Sequence, residues 1–530
     1  MKYMKLFHTV VPLHMRQIYS QIKLRIVTYR LRSYVNYNSI PLSHARFIEK
    51  YNTLSDESNF EFLNSLLSIS SWNETKLGML WAYNLNYMDW LNQKDMTIDE
   101  GSRWIDKFID EIESNKIGLD PYPTALRGIN WIKFISKNFD SIPVEKKEKW
   151  NNSLYSQYKL LVKKLEYHLL GNHILEDAFS LFIASLYFRD ELFYRKSVNL
   201  LKKELSRQLL PDGAHFEQSP MYHCILLDRL LDCCNFSVNN EIFRGQREVT
   251  EFLNNNAVKM LGHLNSIIFQ DKKIPLLNDS AYKIAPSSED LFQYAERLNI
   301  NYKSIPLKEC GYRFLRNSEF EVIVDVGNIT ASYQPGHSHA DTFNFELKIQ
   351  GIPFIIDTGI STYEKNARRQ YERSTAAHNT VTIADRDSSE VWGGFRVGNR
   401  AKIVQFRESD SQILAKHDGF GKKHYHERKF TLEEKYFEIT DYIPERDKGI
   451  SYLHFSPNIN VKNISNELID SNLGVIEVIG AERIEIIEDY SSDQYNRLHP
   501  IKVAKIHFSG FLRYIIRKNE NSISDRQFSS

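Results

Sequence analysis

Up to about residue 300, apolar residues recur every three or four positions, a spacing that places them on one face of an α-helix. Short polar or proline-containing stretches, such as 118–123 and 210–215, separate these segments. Many consecutive helices with short links predict a bundle, a solenoid or a toroid. The sequence contains no strict internal repeat.

From about Tyr312 the apolar period changes to two, which is typical of β-strands. Ten or so short alternating segments follow, with turn residues between them and no intervening helix, and this predicts antiparallel sheets packed as a sandwich. We therefore predict an α+β protein of several domains. The predicted ranges are a basic N-terminal helical segment (1–50), a helical domain (51–300) and a β-sandwich domain (301–530).

Composition limits the class of protein. Apolar residues make up 42% of the 530, so a large core is available, and the net charge of +1 gives no reason to expect a nucleic-acid partner. No run of eighteen apolar residues occurs, so we expect no membrane-spanning helix. The four cysteines form no CxxC pair, and no disulfide framework is predicted.

The start of the chain is basic, and its first acidic residue is Glu49. A signal peptide needs a continuous apolar core and a small-residue cleavage site, and residues 6–15 are too short and too interrupted to provide them. Two interpretations remain. One is a basic amphipathic helix that touches an anionic membrane, and the other is a first helix with a solvated basic face.

Five stretches combine polar and titratable residues. They are GNHILEDAF (171–179), DGAHFEQSPMYH (212–223), GHSHADTFNFEL (336–347), FIIDTG (354–359) and STAAHNTV (374–381). In the first, Asn172, His173 and Glu176 either read a carboxylate or sugar hydroxyls, or act as an ordinary helix cap with solvated neighbours. In the second, Tyr222 either transfers a proton or packs at a helix start.

Two of the β-region stretches contain histidines. His337 and His339 share one face if they lie on a strand, and otherwise mark an irregular entrance to it. One of them, together with Asp357 and His378, makes a set of two imidazoles and one carboxylate, which Zn²⁺ accepts. Without an HExxH or CxxC motif, this spacing alone is not specific.

The order of the five stretches, between Tyr83 and Arg396, resembles the heparinase II/III-like polysaccharide lyases. NLNYMDWL (84–91) and HFSP (454–457) resemble family features as well. The resemblance implies an incomplete (α/α) toroid followed by an antiparallel β-sandwich. It also implies cleavage of a uronic acid-containing anionic polysaccharide, such as a bacterial exopolysaccharide or a glycosaminoglycan-like chain, by β-elimination.

The resemblance assigns a role to each site residue. Tyr222 and His337 match the catalytic acid–base pair, with either as the base. Asn172 or His173, supported by Glu176, matches the carboxylate reader, and His339, Asp357 and His378 match the ligands of a divalent metal, expected to be Zn²⁺. No redox cofactor is expected. Further predicted substrate contacts are Tyr83, Asn84, Tyr87, Arg127, Asn130, Arg373 and Arg396.

Other aspects stay open. A glycoside hydrolase would instead use two carboxylates, for which Glu176 and Glu217 are candidates, and a non-catalytic carbohydrate-binding protein of surface-polysaccharide assembly is the third reading. The resemblance implies a periplasmic or secreted protein, although no signal peptide is evident. The sequence does not indicate an oligomeric state.

Overall fold

Helices predominate in the chain up to residue 297, and strands predominate from residue 312 onwards. The computed structural model describes residues 2–36, 38–56, 58–421 and 423–519, so residues 520–530 of the predicted β domain lie outside the described residues. The helices are α1 (Lys2–Val10), α2 (Met15–Ile26), α3 (Met79–Tyr87), α4 (Ile98–Asp110), α5 (Pro121–Lys137), α6 (Val144–Lys164), α7 (Gly171–Phe188), α8 (Glu191–Gln208), α9 (Pro220–Asn239), α10 (Gln246–Ile267), α11 (Ser288–Arg297) and α12 (Ala367–Glu372).

The core of the helical region is α7, which packs against α5, α8 and α9. From Ile174 to Phe188 its side chains are buried on every side, as expected for a helix that is apolar all round. The apolar pattern continues without a break into α8, yet the structure has two helices. Arg189 takes the left-handed conformation that ends α7, and the Asp190 side chain accepts a hydrogen bond from Phe193 N (2.9 Å) to cap α8.

A three-stranded sheet interrupts the predicted helical region. Its strands are β1 (Leu54–Asp56), β2 (Asn59–Phe62) and β3 (Ser65–Ser68). Alternation places Phe60 and Phe62 on one face, where Phe60 meets Trp90 and Trp104, and Phe62 meets Trp81. The alternation in the sequence is too short to predict these strands, and their position depends on contacts with tryptophans of other segments.

The strands after residue 311 form antiparallel sheets. They are β4 (Tyr312–Arg316), β5 (Phe320–Asp325), β6 (Phe345–Ile349), β7 (Ile352–Ile355), β8 (Val381–Ile383), β9 (Val391–Trp392), β10 (Arg396–Val397), β11 (Ile403–Glu408), β12 (Gln412–His417), β13 (His426–Leu432), β14 (Phe437–Tyr442), β15 (Lys448–His454), β16 (Val461–Ile464), β17 (Leu468–Ser471), β18 (Gly474–Gln494) and β19 (Arg497–Lys518). One sheet has the order β4-β5-β6-β7, and a larger one runs β11-β12-β13-β14-β19-β18-β17-β16, with β15 and β8 attached to β19.

The longest pair is β18 and β19, whereas the alternating segments GVIEVIG (474–480) and KVAKIHFSG (502–510) alone predict two short strands. The structure extends both strands across register shifts near Ile479 and Ala481. Gly480 has φ +91° and Gly510 has φ +68°, conformations that an L side chain disfavours, so glycine allows the pair to bend and continue.

Residues of both large sheets share one hydrophobic cluster that includes Val322, Leu347, Phe430 and Phe508. The prediction of a helical N-terminal region followed by an antiparallel β-rich region is confirmed. The incomplete toroid, the sandwich and the three domain ranges stay predictions. Among the described residues, each helix is too short or too polar to cross a lipid bilayer.

Candidate active site

Loops from the helical region and the β region meet around His337. Asn172 comes from the first turn of α7, Tyr222 from the first turn of α9, and Asp279 from the loop between α10 and α11. His337 and His339 lie in the loop between β5 and β6. Sequence spacing left open whether the two histidines sit on a strand, and the structure places both before it.

Tyr222 is fixed by the cap of α9. The Ser219 hydroxyl accepts from Tyr222 N (3.2 Å) and donates to the Asp279 carbonyl oxygen (2.6 Å), and Pro220 occupies the first helical position. The Tyr222 ring centroid lies 3.9 Å from that of His337. Tyr363 donates a hydrogen bond to the Tyr222 hydroxyl oxygen (3.3 Å), which leaves the Tyr222 proton free to be donated elsewhere. Burial raises the pKa of Tyr222, so its hydroxyl is protonated at neutral pH.

His337 is held in one tautomer. Its Nδ1 lies 2.9 Å from Oδ2 of Asp279, and a carboxylate only accepts, so Nδ1 carries the proton. Its Nε2 lies 3.3 Å from the amide nitrogen of Asn172, which donates, so Nε2 presents a lone pair. A histidine whose Nε2 carries a lone pair and whose Nδ1 donates to a carboxylate has the arrangement of a general base.

Asp279 holds this arrangement together, and the sequence analysis missed it. Its Oδ1 meets His339 Nε2 (2.8 Å) and Arg369 Nη1 (2.5 Å), while Oδ2 meets His337 Nδ1 and Arg369 Nη2 (2.7 Å). Burial opposes its charge, but Arg369 and hydrogen bonds from both histidines hold the pKa of Asp279 well below its usual value. The available signal was an acid two positions after the apolar run IPLL (274–277), similar to Asp357 after its apolar run.

Asn172 is positioned by Glu217. The Glu217 carboxylate accepts from the backbone N of Asn172 (3.0 Å) through Oε1 and from its side-chain amide (2.8 Å) through Oε2. This carboxylate therefore caps the N-terminus of α7 and turns the Asn172 amide towards His337. Both Glu217 oxygens are engaged, which does not favour Glu217 as the acid or base of a hydrolase.

Gly171 allows Glu217 to approach, and we expect Gly171→Ala to destabilise the fold by about 1–3 kcal/mol. Gly171 has φ +56°, and a Cβ atom would lie 2.2 Å from Oε1 of Glu217. Thermal denaturation measures the effect. Gly351→Ala is the matched control, because Gly351 has φ +76° with nothing within 4 Å, so it reports backbone strain alone. Equal losses in the two variants would contradict a role for the contact with Glu217.

His173 and Glu176 lie beside and behind Asn172. The Nδ1 of His173 meets Oε2 of Glu166 (3.0 Å); burial opposes protonation, but Glu166 raises the pKa of His173 above its ordinary value. Glu176 is fully buried, with its Oε2 3.7 Å from Nε of Arg229, and burial raises its pKa to about 7. Glu176 therefore faces the interior, and His173 faces the partly exposed side.

Two of the predicted substrate residues belong to a row of aromatic rings that ends at His173. The ring centroids of Tyr83 and Tyr87 are 6.2 Å apart, those of Tyr87 and Tyr122 are 5.8 Å apart, and those of Tyr122 and His173 are 4.8 Å apart. The hydroxyl of Tyr83 donates to Asp120 (3.1 Å). Tyr122, which the sequence analysis did not select, links the tyrosines to the candidate carboxylate reader.

The other predicted substrate residues of the helical region have intramolecular partners. The Asn84 amide donates to Leu80 O (2.8 Å), and the Asn130 amide donates to Tyr87 O (2.9 Å). Arg127 is 0% exposed, with Nε and Nη2 donating to Oε1 of Gln157 at 2.9 and 2.7 Å. For Arg127 and Asn130, substrate contact stays a prediction that burial does not favour.

The two arginines of the β region that are predicted to contact substrate differ in their exposure to solvent. Arg373 is 1% exposed and donates to Ser338 O (2.7 Å), and burial lowers its pKa to about 9. Arg396 is exposed, and its guanidinium lies 4.6 Å from the ring centroid of Trp392. Arg373 therefore supports the loop that carries His337 and His339, while Arg396 is available to an anionic ligand.

The three predicted metal ligands are close together and fully buried. His378 Nδ1 meets Oδ2 of Asp357 (2.8 Å), and the ring centroids of His339 and His378 are 5.2 Å apart. Nδ1 of His339 and Nε2 of His378 are buried and have no hydrogen-bond partner, which fits imidazoles that ligate an ion. Their assignment as metal ligands stays a prediction.

In the described part of the chain, a different group has the spacing of metal ligands. Ligand atoms of Asp212, His263 and Cys310 all lie within 4.8 Å of one another, and the three residues are buried. Asp212 follows α8, His263 lies on α10, and Cys310 precedes β4, so this candidate metal-binding triad joins the helical and β regions. The carboxylate also accepts from Lys308 N (3.0 Å) and Cys310 N (2.9 Å).

Comparison with known proteins identifies two family matches. Residues 130–301 match the model described as Heparinase II/III N-terminus, and residues 299–523 match Heparinase II/III-like, C-terminal. A heparin-sulfate lyase of Bacteroides stercoris is 24% identical over 322 residues, 54% of this chain and 46% of that protein. A heparin-sulfate lyase of Pedobacter heparinus is 26% identical over 260 residues, 44% of this chain and 38% of that protein. The chain spans less than half the length of these curated relatives.

Solved structures show the same fold. A crystal structure of heparinase III aligns with a TM-score of 0.65 and 14% identity, and the alignment covers 96% of this chain and 85% of that one. A heparan sulfate lyase from Pedobacter heparinus aligns with a TM-score of 0.53 and 17% identity, over 83% of this chain and 75% of that one. At these identities the likeness concerns the fold alone.

Proposed function

Because the chain belongs to the heparinase II/III-like family, we propose that it is a polysaccharide lyase that cleaves a uronic acid-containing anionic polysaccharide by β-elimination. The observation that carries the proposal is the contact of the Tyr222 and His337 rings at 3.9 Å, with Asp279 behind His337 and Asn172 beside it. The substrate class includes glycosaminoglycan-like chains and bacterial exopolysaccharides. The fold of this lyase is proposed as an incomplete toroid followed by a sandwich, which the shared core of the two sheets supports.

β-Elimination at a 4-linked uronic acid removes the proton at C5, forms the C4–C5 double bond and releases the O4 oxygen. In our proposal Nε2 of His337 accepts the C5 proton, because it is the unprotonated ring nitrogen and Asp279 stabilises the imidazolium that results. Tyr222 donates its hydroxyl proton to O4, since burial keeps that hydroxyl protonated. The opposite assignment would need a Tyr222 phenolate and a proton on Nε2 of His337, so we assign the base to His337 and the acid to Tyr222.

The substrate carboxylate gains negative charge as the C5 proton leaves, and this charge needs positive or hydrogen-bonding neighbours. The Asn172 amide is a hydrogen-bond donor beside Nε2 of His337, the proposed base. His173 lies beside Asn172, and Glu166 raises its pKa, which favours the charged form of His173. We assign Asn172 and His173 to the substrate carboxylate, with Glu176 behind them as support, and Tyr83 and Tyr87 to packing against sugar rings.

A divalent ion, Zn²⁺ in our proposal, would be held by His339, Asp357 and His378. The unpartnered nitrogens of the two histidines support this assignment. Such an ion would supply positive charge to the β-region side of the candidate site. The reaction itself is assigned to side chains of the chain, and no redox cofactor enters it.

The proposed function has a direct test, in which uronic acid polymers are digested and the ultraviolet absorbance of a C4–C5 unsaturated uronide is recorded. We expect the chromophore to appear with at least one polymer, because elimination creates that double bond. The panel includes heparan sulfate, chondroitin sulfate, hyaluronan and alginate. New reducing ends without the chromophore would instead support hydrolysis, and binding without any new ends would support a carbohydrate-binding protein.

A further inference from the structure

Helix α2 presents its apolar side chains to solvent. Met15, Tyr19, Ile22 and Ile26 follow one another at intervals of four, three and four residues, so they share one face of the helix. They are 78%, 68%, 53% and 76% exposed. A helix at the surface of a globular protein normally buries such a stripe, so the exposed stripe requires an explanation.

Helix α1 and the turn after it add to this surface. Leu6, Phe7, Val10 and Val11 are between 42% and 65% exposed. We call the eight side chains the N-terminal apolar face: Leu6, Phe7, Val10, Val11, Met15, Tyr19, Ile22 and Ile26. So many exposed apolar residues within about twenty positions are unusual for the surface of a soluble domain.

Contacts with the rest of the protein fix which side of α2 faces outwards. The Gln17 side-chain amide is buried and donates to Leu169 O (3.2 Å) and Tyr333 O (3.4 Å). The Arg16 guanidinium lies 3.5 Å from the ring centroid of Tyr167. Polar and cationic side chains therefore attach α2 to the protein, and this attachment turns its apolar stripe away from the core.

The surroundings of this face are cationic. Lys23 and Arg25 are exposed on α2, and the chain has no acidic residue before Glu49. On α8, Lys196 has a pKa lowered by burial and by the positive charges of Lys23 and Arg16, which places three cations near one another. Of the nearby acids, Glu204 is 1% exposed and Glu390 is paired with His8 (3.4 Å).

We propose that the N-terminal apolar face docks on an anionic lipid bilayer. The apolar side chains would enter the headgroup region, and the flanking lysines and arginines would meet lipid phosphates. A helix of 12 residues is too short to cross a bilayer, so α2 lies in the plane of the interface. A second copy of the chain is a poorer occupant, because a symmetric contact would bring two cationic surroundings together.

The proposal does not rest on the lyase assignment, but it gives the candidate active site a position. The carbonyls that hold Gln17 belong to Leu169 and Tyr333, which lie three residues before Asn172 and four before His337. A bilayer in contact with α2 is therefore close to the loops that carry these two site residues. The enzyme would act on polymer at a membrane surface.

Cosedimentation of the full chain with lipid vesicles tests the proposal. We expect binding to phosphatidylcholine vesicles that contain phosphatidylglycerol, little binding to phosphatidylcholine alone, and weaker binding as salt is raised. Combining Met15→Ser, Ile22→Ser and Ile26→Ser should reduce binding at least about tenfold. The control combines Val144→Ser and Leu192→Ser, which alter side chains 61% and 55% exposed elsewhere, and should bind like the wild type.

A second variant covers the case in which the serine variant loses stability. Combining Lys23→Glu and Arg25→Glu changes only exposed charges, and should also reduce binding to the anionic vesicles at least about tenfold. Equal binding to both vesicle types, or wild-type binding by both variants, would overturn the proposal. A dimer in light scattering that the serine substitutions dissociate, without vesicle binding, would assign the face to a second copy and overturn it as well.

Discussion

Tyr222→Phe is expected to lower kcat on a uronic acid polymer by about 10²–10⁴-fold, the usual contribution of a positioned proton donor. The substitution removes one hydroxyl and keeps the ring, which packs 3.9 Å from that of His337. KM should change little, because the lost interaction acts on the departing oxygen. His337→Ala should cause a loss of similar size, and the rate of chromophore formation measures both.

Tyr363→Phe provides the matched control for Tyr222→Phe. The Tyr363 hydroxyl donates to the Tyr222 hydroxyl (3.3 Å). The substitution Tyr363→Phe therefore removes a hydroxyl from the same cluster and keeps the proposed acid, Tyr222. We expect a loss of no more than about tenfold, the size of one neutral hydrogen bond. Turnover that persists in both Tyr222→Phe and His337→Ala would show that the proposed site is wrong.

The second large effect is expected for Asp279→Asn, which should lower kcat on the order of 10³-fold. The neutral amide no longer stabilises the imidazolium that forms when His337 accepts a proton, and it loosens the hold on the Nδ1 tautomer. The variant should also lose about 3–5 kcal/mol of stability, since Arg369 would be left buried without a carboxylate partner. Steady-state kinetics and chemical denaturation measure the two effects separately.

Two further variants distinguish positioning of His337 from general damage. Adding Arg369→Gln to Asp279→Asn removes the unpaired buried charge, so stability should recover in part while kcat stays low. Adding Asp279→Asn to His337→Ala should cause little further loss of activity, because groups that act as a unit are not additive. Recovery of kcat together with stability would contradict the positioning role of Asp279.

Local pattern was sufficient for the order of the helical region and the β region. The 3.6-residue period predicted helices in the first region, and the two-residue period predicted strands in the second. Both kinds of element form, because packing buries the apolar face that each period creates. Local pattern failed where a partner distant in sequence decides the conformation. The strands around Phe60 depend on tryptophans from later elements, and the length of β18 and β19 depends on glycines that let the pair bend.

In the candidate site, too, local sequence predicted some residues, and partners distant in the chain decided the rest. The sequence alone selected Tyr222, His337 and Asn172, since their residue types and order resemble a family, and the structure brings these three side chains together. It did not select Asp279 or Arg369. The position of Asp279 after an apolar run suggests a buried acid, but the local sequence of neither residue shows which side chains pair with it. Their roles arise from a buried carboxylate that accepts from two histidines and one arginine at once.

The sequence by itself determined the family, the order of the helical and β regions, and the residues that carry the proposed chemistry. Only the tertiary structure decided which nitrogen of His337 is unprotonated, because that depends on a carboxylate 58 positions away in the chain. It likewise decided the orientation of α2. The basic, apolar start of the chain allows its apolar stripe to face the core or the solvent, and the buried side chain of Gln17 turns that stripe outwards.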